Sequence, residues 1–363
     1  MSIDGKITPR QVAWLIITTR TAVVMVSITP IALGMGRNAW IGELVAVGIM
    51  MMMAWVMVKL CLRFPKKSLV EIGEVVLGKY LGKLLGLAIL WFFLFVSATL
   101  LRETGEFLKA NFLEETPLIV LIVLFTLVIA YGVGMGLETI ARVNDVFFIV
   151  IIAMYGAMGV LLFREIDFSN LFPILVESGF TTIMKGGIMT APGFMMVVAI
   201  GMIFPYINQQ GRAMKMIMLG LIVKGFIIVN MIILAIGVLG PSLLDFMNFP
   251  GLFLSKSIRF AKFIESIDAL FMLIWILATF VKIAIFYFCL VLGTGQVFNL
   301  TGVNLLVVPI GALIVAVAMA SYQSFFELLF FLLEGWVVHN WLFLFFIPAG
   351  LLTLAVIFKK KEH

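Results

Sequence analysis

The sequence predicts an all-α polytopic membrane protein with about ten transmembrane helices. Of its 363 residues, 63% are apolar and 12% charged, against about 45–50% and about 25% in a soluble domain. The mean hydropathy is +1.21, and 34 Phe and 23 Met add more apolar bulk than one water-soluble core can hide. The apolar residues also fall in runs of roughly 20, the length at which a helix spans a bilayer. A soluble enzyme is excluded. The net charge of +6 reads as basic cytoplasmic loops, which orient membrane proteins, so no nucleic-acid partner is implied.

In chain order, residues 1–11 form a polar N-terminal segment without the apolar region and small-residue cleavage site of a signal peptide. A single membrane bundle follows over 12–358, with apolar segments at 12–34, 41–60, 84–101, 118–134 and 146–163. Five more lie at 183–206, 216–239, 267–292, 305–320 and 342–358, before a basic tail at 359–363. The stretch 325–338 is apolar but short and carries Glu327 and Glu334, so it reads as interfacial or re-entrant. Ten crossings with both termini inside put most Lys and Arg on the inner side, including Lys359, Lys360 and Lys361. An eleventh crossing would place that cluster outside.

Segments one and six carry polar or helix-breaking residues in mid-run: Ser27, Thr29, Pro30, Gly34 and Gly36 in one, Gly186, Gly187, Thr190, Pro192, Gly193, Gly201 and Pro205 in the other. They lie five crossings apart, which predicts a 5+5 inverted repeat, the first half about 12–163 and the second about 183–320. Proline removes a backbone donor and frees the carbonyl four residues earlier, and lipid cannot satisfy such groups. They must face protein, water or a ligand, and a small zwitterion fits. The expected binding residues are Ser27, Thr29 and Pro30 with Thr190, Ala191, Pro192 and Gly193, joined by Phe95, Ser97 and Thr279.

Arg20, Lys224 and Lys282 fall inside apolar runs, where a charge is costly. Lys282 lies deepest and serves either as a coupling cation or as a structural ion; Arg20 and Lys224 read as snorkelling or as interhelical ties. Arg102, Glu103 and Glu106 read as a solvated helix end. Lys256, Arg259 and Lys262 recur every three residues and suit a helix lying on the membrane surface. Cys61 and Cys289 read as buried small hydrophobes. His339 and His363 stand apart from each other and from the cysteines, and no Walker, HExxH or GxSxG motif occurs. No catalytic residue, metal site or cofactor is expected. The glycines of 132–136 read as helix termination and tight packing.

The order of short motifs resembles the endospore germination permeases, the B subunits of spore germinant receptors, within the amino acid–polyamine–organocation superfamily. It is carried by Lys6-Ile7-Thr8-Pro9-Arg10-Gln11, Trp40, Arg63-Phe64-Pro65, Leu69, Glu71, Leu77-Gly78-Lys79 and Leu81-Gly82. Further on come Leu101-Arg102, Thr116-Pro117, Gly136-Leu137-Glu138, Ala141-Arg142, Asn170-Leu171-Phe172-Pro173, Phe204-Pro205, Asp268 and Trp275. The resemblance implies a LeuT-like fold with helices 1 and 6 broken and a small nutrient, an amino acid or sugar, as ligand. It also implies a membrane-spanning A subunit and a lipoprotein C subunit as partners, in the inner membrane of the spore. Where such proteins often have Gly-x-Gly before the segment-one proline, this chain has Val23 and Met25. The expected function is therefore nutrient sensing. The alternatives are a proton-coupled amino-acid transporter of the same fold and a ligand-free scaffold subunit.

Overall fold

The computed structural model describes residues 5–26, 34–173, 178–244, 254, 267–333 and 335–361. Ser27, Thr29, Pro30, Lys256, Arg259, Lys262, Glu334 and His363 lie outside the described residues, as do the side chains of Arg20, Val23, Met25 and Asp268. Among the described residues the fold is helical, with one isolated bridge between Ile7 and Ile207.

The helices are α1 (Pro9–Val26), α2 (Ala39–Arg63), α3 (Leu69–Leu77), α4 (Lys79–Asn111), α5 (Leu118–Gly134) and α6 (Leu137–Leu162). After these come α7 (Phe180–Thr190), α8 (Met196–Ile203), α9 (Gln210–Leu239), α10 (Ile267–Phe298), α11 (Val307–Ala320), α12 (Phe325–Leu333), α13 (Gly335–Trp341) and α14 (Ile347–Ile357). Eight stretches are long and apolar enough to cross a bilayer, and α5 is a shorter apolar helix. The ten segments read from the sequence map onto these eight, α5 and α1.

Local signals explain the punctuation. Ser68 caps α3 in a reciprocal box: its Oγ accepts from Glu71 N–H at 3.3 Å while the Glu71 carboxylate accepts from Ser68 N–H at 2.8 Å. α3 ends at Gly78, whose φ of 86° suits glycine, and α4 starts at once. The glycines of 132–136 close α5 and turn the chain into α6, as expected.

The last span begins earlier than the sequence reading has it, running Gly335–Ile357. The stretch 325–338 divides between α12 and the head of this span. Within it Pro348 cannot donate to the carbonyl four residues back, and the chain absorbs this as a π turn over Leu342–Phe346.

Both ends of the chain sit at one end of the bundle. Ile7 N–H donates to Tyr206 O at 2.9 Å, and Asn208 N–H donates to Ile7 O at 2.8 Å. Arg63 donates to Lys360 O at 2.5 Å and Ala355 O at 3.0 Å, while Lys360 Nζ caps α3 through Val75 O and Val76 O at 2.9 and 3.1 Å. At the other end Arg102 corrects the solvated-end reading: α4 runs on to Asn111, and Arg102 is buried, bonding Glu106 at 2.9 Å and Ala318 O at 3.3 Å. Beside it Thr99 shares a 2.9 Å hydrogen bond with Tyr322, whose phenol burial holds above the usual range.

The core is centred on two spans. In the 18-residue apolar stretches of Phe180–Tyr206 and Met272–Phe298, 83% of the residues are buried, against 22% in that of Leu137–Glu165 and 28% in that of Val303–Ala320, whose outer faces are left for lipid.

Candidate functional site

α7 and α8 form one interrupted span. α7 ends at Thr190, a 3₁₀ turn covers Ala191–Gly193, and α8 resumes at Met196. Pro192 supplies no N–H for Ile188 O, and Trp341 Nε1 of α13 takes its place at 3.2 Å. The Thr190 hydroxyl is spent on Gly186 O at 2.8 Å, so it offers a ligand its methyl group and backbone rather than a free donor. Gly187 lets α7 lie directly on α2: a Cβ there would fall 2.8 Å from Gly42 O and from Val45 Cβ.

Packing fixes which residues share the depth of this break. α4 and α10 run antiparallel, with Gly86 against Val297, Leu90 against Gly293, Phe93 6.0 Å from Phe286 and Phe107 4.1 Å from Trp275. That register sets Ser97 level with the turn of α10 that begins at Lys282. α8 runs alongside α10 with Met202 meeting Gly293; counted back at equal rise, Ala191 is level with Lys282. Ser97, Thr279 and Lys282 are all buried. Ser97 Oγ makes no hydrogen bond, although Thr104, Thr126, Thr294 and Ser321 each return theirs to the carbonyl four residues back.

A second buried cation completes the layer. Lys224 of α9 is 2% exposed and its Nζ sits 4.0 Å above the Phe194 ring, which makes it an interhelical tie and rules out snorkelling. Glu43 of α2 is also fully buried, one turn from Val47, which meets Gly225 beside Lys224. α2 and α9 thus pack on each other where each carries a buried ionisable side chain. The sequence reading does not include Glu43, although a lone carboxylate in the apolar run 41–60 is a signal of the same kind as Lys282. Trp341 left no such signal, since an orphaned carbonyl does not announce its donor.

Phe95 is half-buried in a ring cluster with Trp91 at 5.5 Å, Phe331 at 5.3 Å and His339 at 5.5 Å, and His339 belongs to α13, which packs on the turn at the break. Cys61 and Cys289 are buried free thiols, as expected. A separate cavity of about 240 Å³ opens at the end of the bundle that holds the termini, lined by Gly136, Glu138, Arg142, Phe288 and Asn304 among others. It lies away from the helix break.

A helical bundle with a proline-interrupted central span and polar groups gathered at its mid-depth defines a transporter-type membrane protein. Solved structures share the fold: a Na⁺-coupled sialic acid symporter in a substrate-bound outward-open state (TM-score 0.66, 11% identity, 94% of this chain and 80% of that one), and MhsT in complex with L-phenylalanine (TM-score 0.66, 13% identity, 97% and 89%). Mhp1, a nucleobase-cation-symport-1 family transporter, matches at TM-score 0.63, with 16% identity over 91% of this chain and 75% of that one. The LeuT-like architecture is thereby shown. The chain belongs to the spore germination protein family, whose model matches residues 6–326. Spore germination protein KB of Bacillus subtilis is 30% identical over 302 residues, 80% of this chain and 79% of that protein. GerQB of Bacillus cereus is 25% identical over 282 residues, 75% of each.

Proposed function

We propose that this chain is the nutrient-sensing subunit of a spore germinant receptor. It binds an amino acid or sugar at the break between α7 and α8, and ligand stabilises one arrangement of the bundle over another. The altered arrangement is passed to a membrane-spanning A subunit and a lipoprotein C subunit. The site comprises Ser27, Thr29, Pro30, Phe95, Ser97, Thr190, Ala191, Pro192, Gly193 and Thr279, with Lys282 as a fixed cation at its edge. The bundle works in the inner membrane of the spore with both termini cytoplasmic, a reading supported by the basic residues around the end that holds the termini.

The observation that carries this is the buried proline turn at the depth of Ser97, a hydroxyl that bonds to nothing in the protein. The test is equilibrium binding of labelled L-amino acids and glucose to the purified chain. One of them binds saturably, and Ser97→Val weakens it by roughly ten-fold, the worth of a lost hydrogen bond. Absence of binding by folded protein overturns the reading.

A second reading, proton-coupled transport on the same fold, draws on Lys282, a cation buried at the depth of the break. A scaffold that has lost its ligand draws on Val23 and Met25, and predicts normal assembly with no ligand response even after both become glycine.

A further inference from the structure

The end of the bundle that holds the termini carries more cations than its own structure uses. Arg63 is spent on the carbonyls of Lys360 and Ala355, and Lys360 on those of Val75 and Val76. Lys359 and Lys361, on either side of Lys360, are exposed. So is Lys59 of α2, whose Nζ lies 5.6 Å from the centre of the Trp55 ring. Among the described residues no carboxylate pairs with any of these three lysines. On α3, which packs against α14 here, Glu71 is spent on the Ser68 N–H and Glu74 lies half-buried where α3 meets α4 at Gly82.

The three lysines belong to one corner. α2 and α14 lie side by side, and Arg63, the last residue of α2, reaches both Ala355 and Lys360, so the tail crosses the end of α2. Lys59 stands one turn before Arg63 and about 40° from it around the helix, on the side of the seam with α14. Trp55 and Leu62 share that outward side of α2, and Val356, Ile357 and Phe358 continue it on α14 and into the tail. All five are exposed, Trp55 by 50% and Phe358 by 61%. An apolar strip with aromatic rings that ends in unpaired lysines has the build of the boundary between hydrocarbon and headgroups. Lysines clustered at the end of a span attract lipids of net negative charge.

We propose that this corner binds an anionic phospholipid, its acyl chains along Trp55, Leu62 and Val356 and its headgroup among Lys59, Lys359 and Lys361. The site is separate from the helix break and independent of the nutrient-binding reading. A zwitterionic headgroup brings its own ammonium to the lysines, so the feature recognised is the net negative charge of the headgroup. The attraction weakens as salt rises, because all three cations are exposed.

The test uses the full-length chain in phosphatidylcholine vesicles that contain increasing brominated phosphatidylglycerol or, in parallel, brominated phosphatidylcholine. Bromine quenches tryptophan on contact, and the Trp55 signal is the difference between wild type and Trp55→Phe. Phosphatidylglycerol should reach Trp55 with an apparent affinity about five-fold or more above phosphatidylcholine, the worth of about one lysine at an anionic surface. With Lys59→Gln, Lys359→Gln and Lys361→Gln combined, the ratio should fall to about one. Arg142→Gln removes a cation from α6, which packs chiefly on α1 and α10, and should leave the ratio unchanged. Equal quenching of the wild type by the two lipids overturns the proposal. So does a preference that survives the triple substitution, or one that Arg142→Gln lowers as far, since the general field of the basic end then explains it. If neither lipid quenches Trp55, protein covers this face, a second copy or a partner, and the proposal is likewise overturned.

Discussion

The contact between Trp341 and the broken span can be dissected with two substitutions. Trp341→Phe keeps an aromatic ring and removes the Nε1 donor, leaving Ile188 O without the 3.2 Å bond it now accepts. An unpaired carbonyl away from water costs about 1–3 kcal/mol. Pro192→Ala supplies the N–H whose absence created the need, so Ile188 O regains an intrahelical partner and no longer depends on Trp341. Trp341→Phe should then destabilise the parent by about 2 kcal/mol and the Pro192→Ala background by much less. The shared loss of ring area cancels in the cycle, leaving a coupling of about 1–2 kcal/mol. Reversible unfolding of all four proteins in one detergent reads this out. Equal cost of Trp341→Phe in both backgrounds, within about 0.5 kcal/mol, would refute the reasoning.

Three further expectations follow from buried or constrained groups. Glu106→Gln leaves Arg102 charged and buried and should destabilise by about 3 kcal/mol, while Arg102→Leu combined with Glu106→Leu should recover most of that in the same unfolding assay; equal losses would contradict the pair. Gly187→Ala pushes a Cβ to 2.8 Å from Gly42 O and should cost about 1–3 kcal/mol, read as a lower melting temperature, whereas an unchanged melt would show that α2 and α7 are not in contact there. Asp167 lies outside the spans and accepts hydrogen bonds from the Ser169 side chain and from its N–H, which hold its carboxyl below the usual range. A lowered folded value means a stabilisation present above the unfolded carboxylate range and lost as pH falls through the folded value. Carbon-detected NMR titration should place the Asp167 midpoint below that of Asp167 in Ser169→Ala.

Features held in a few adjacent residues were legible in the sequence. Pro192 and Gly193 announce the break because proline removes a donor whatever surrounds it, and Lys282 stands out because no apolar run tolerates a charge without a reason. The fold class followed from run length, and the family from motifs at loops and helix ends. What failed was depth and pairing. Arg102 ends an apolar run in sequence yet is buried, because α4 is 33 residues long and α11 lies across it. The last span takes in residues 335–341, which the sequence reading leaves outside it because Glu327 and Glu334 set the stretch 325–338 apart, and the π turn that accommodates Pro348 has no local signature. Trp341 and Ser97 gain their meaning only from the neighbours that tertiary packing supplies.

The most direct test of sensing against transport is uptake by the purified chain in liposomes of known orientation. Labelled neutral amino acids and glucose are supplied with and without an imposed proton gradient. Sensing predicts saturable binding to the reconstituted protein and no accumulation above equilibrium in either condition. Saturable accumulation driven by the gradient, and abolished by Lys282→Met, would contradict it and make the chain a coupled transporter.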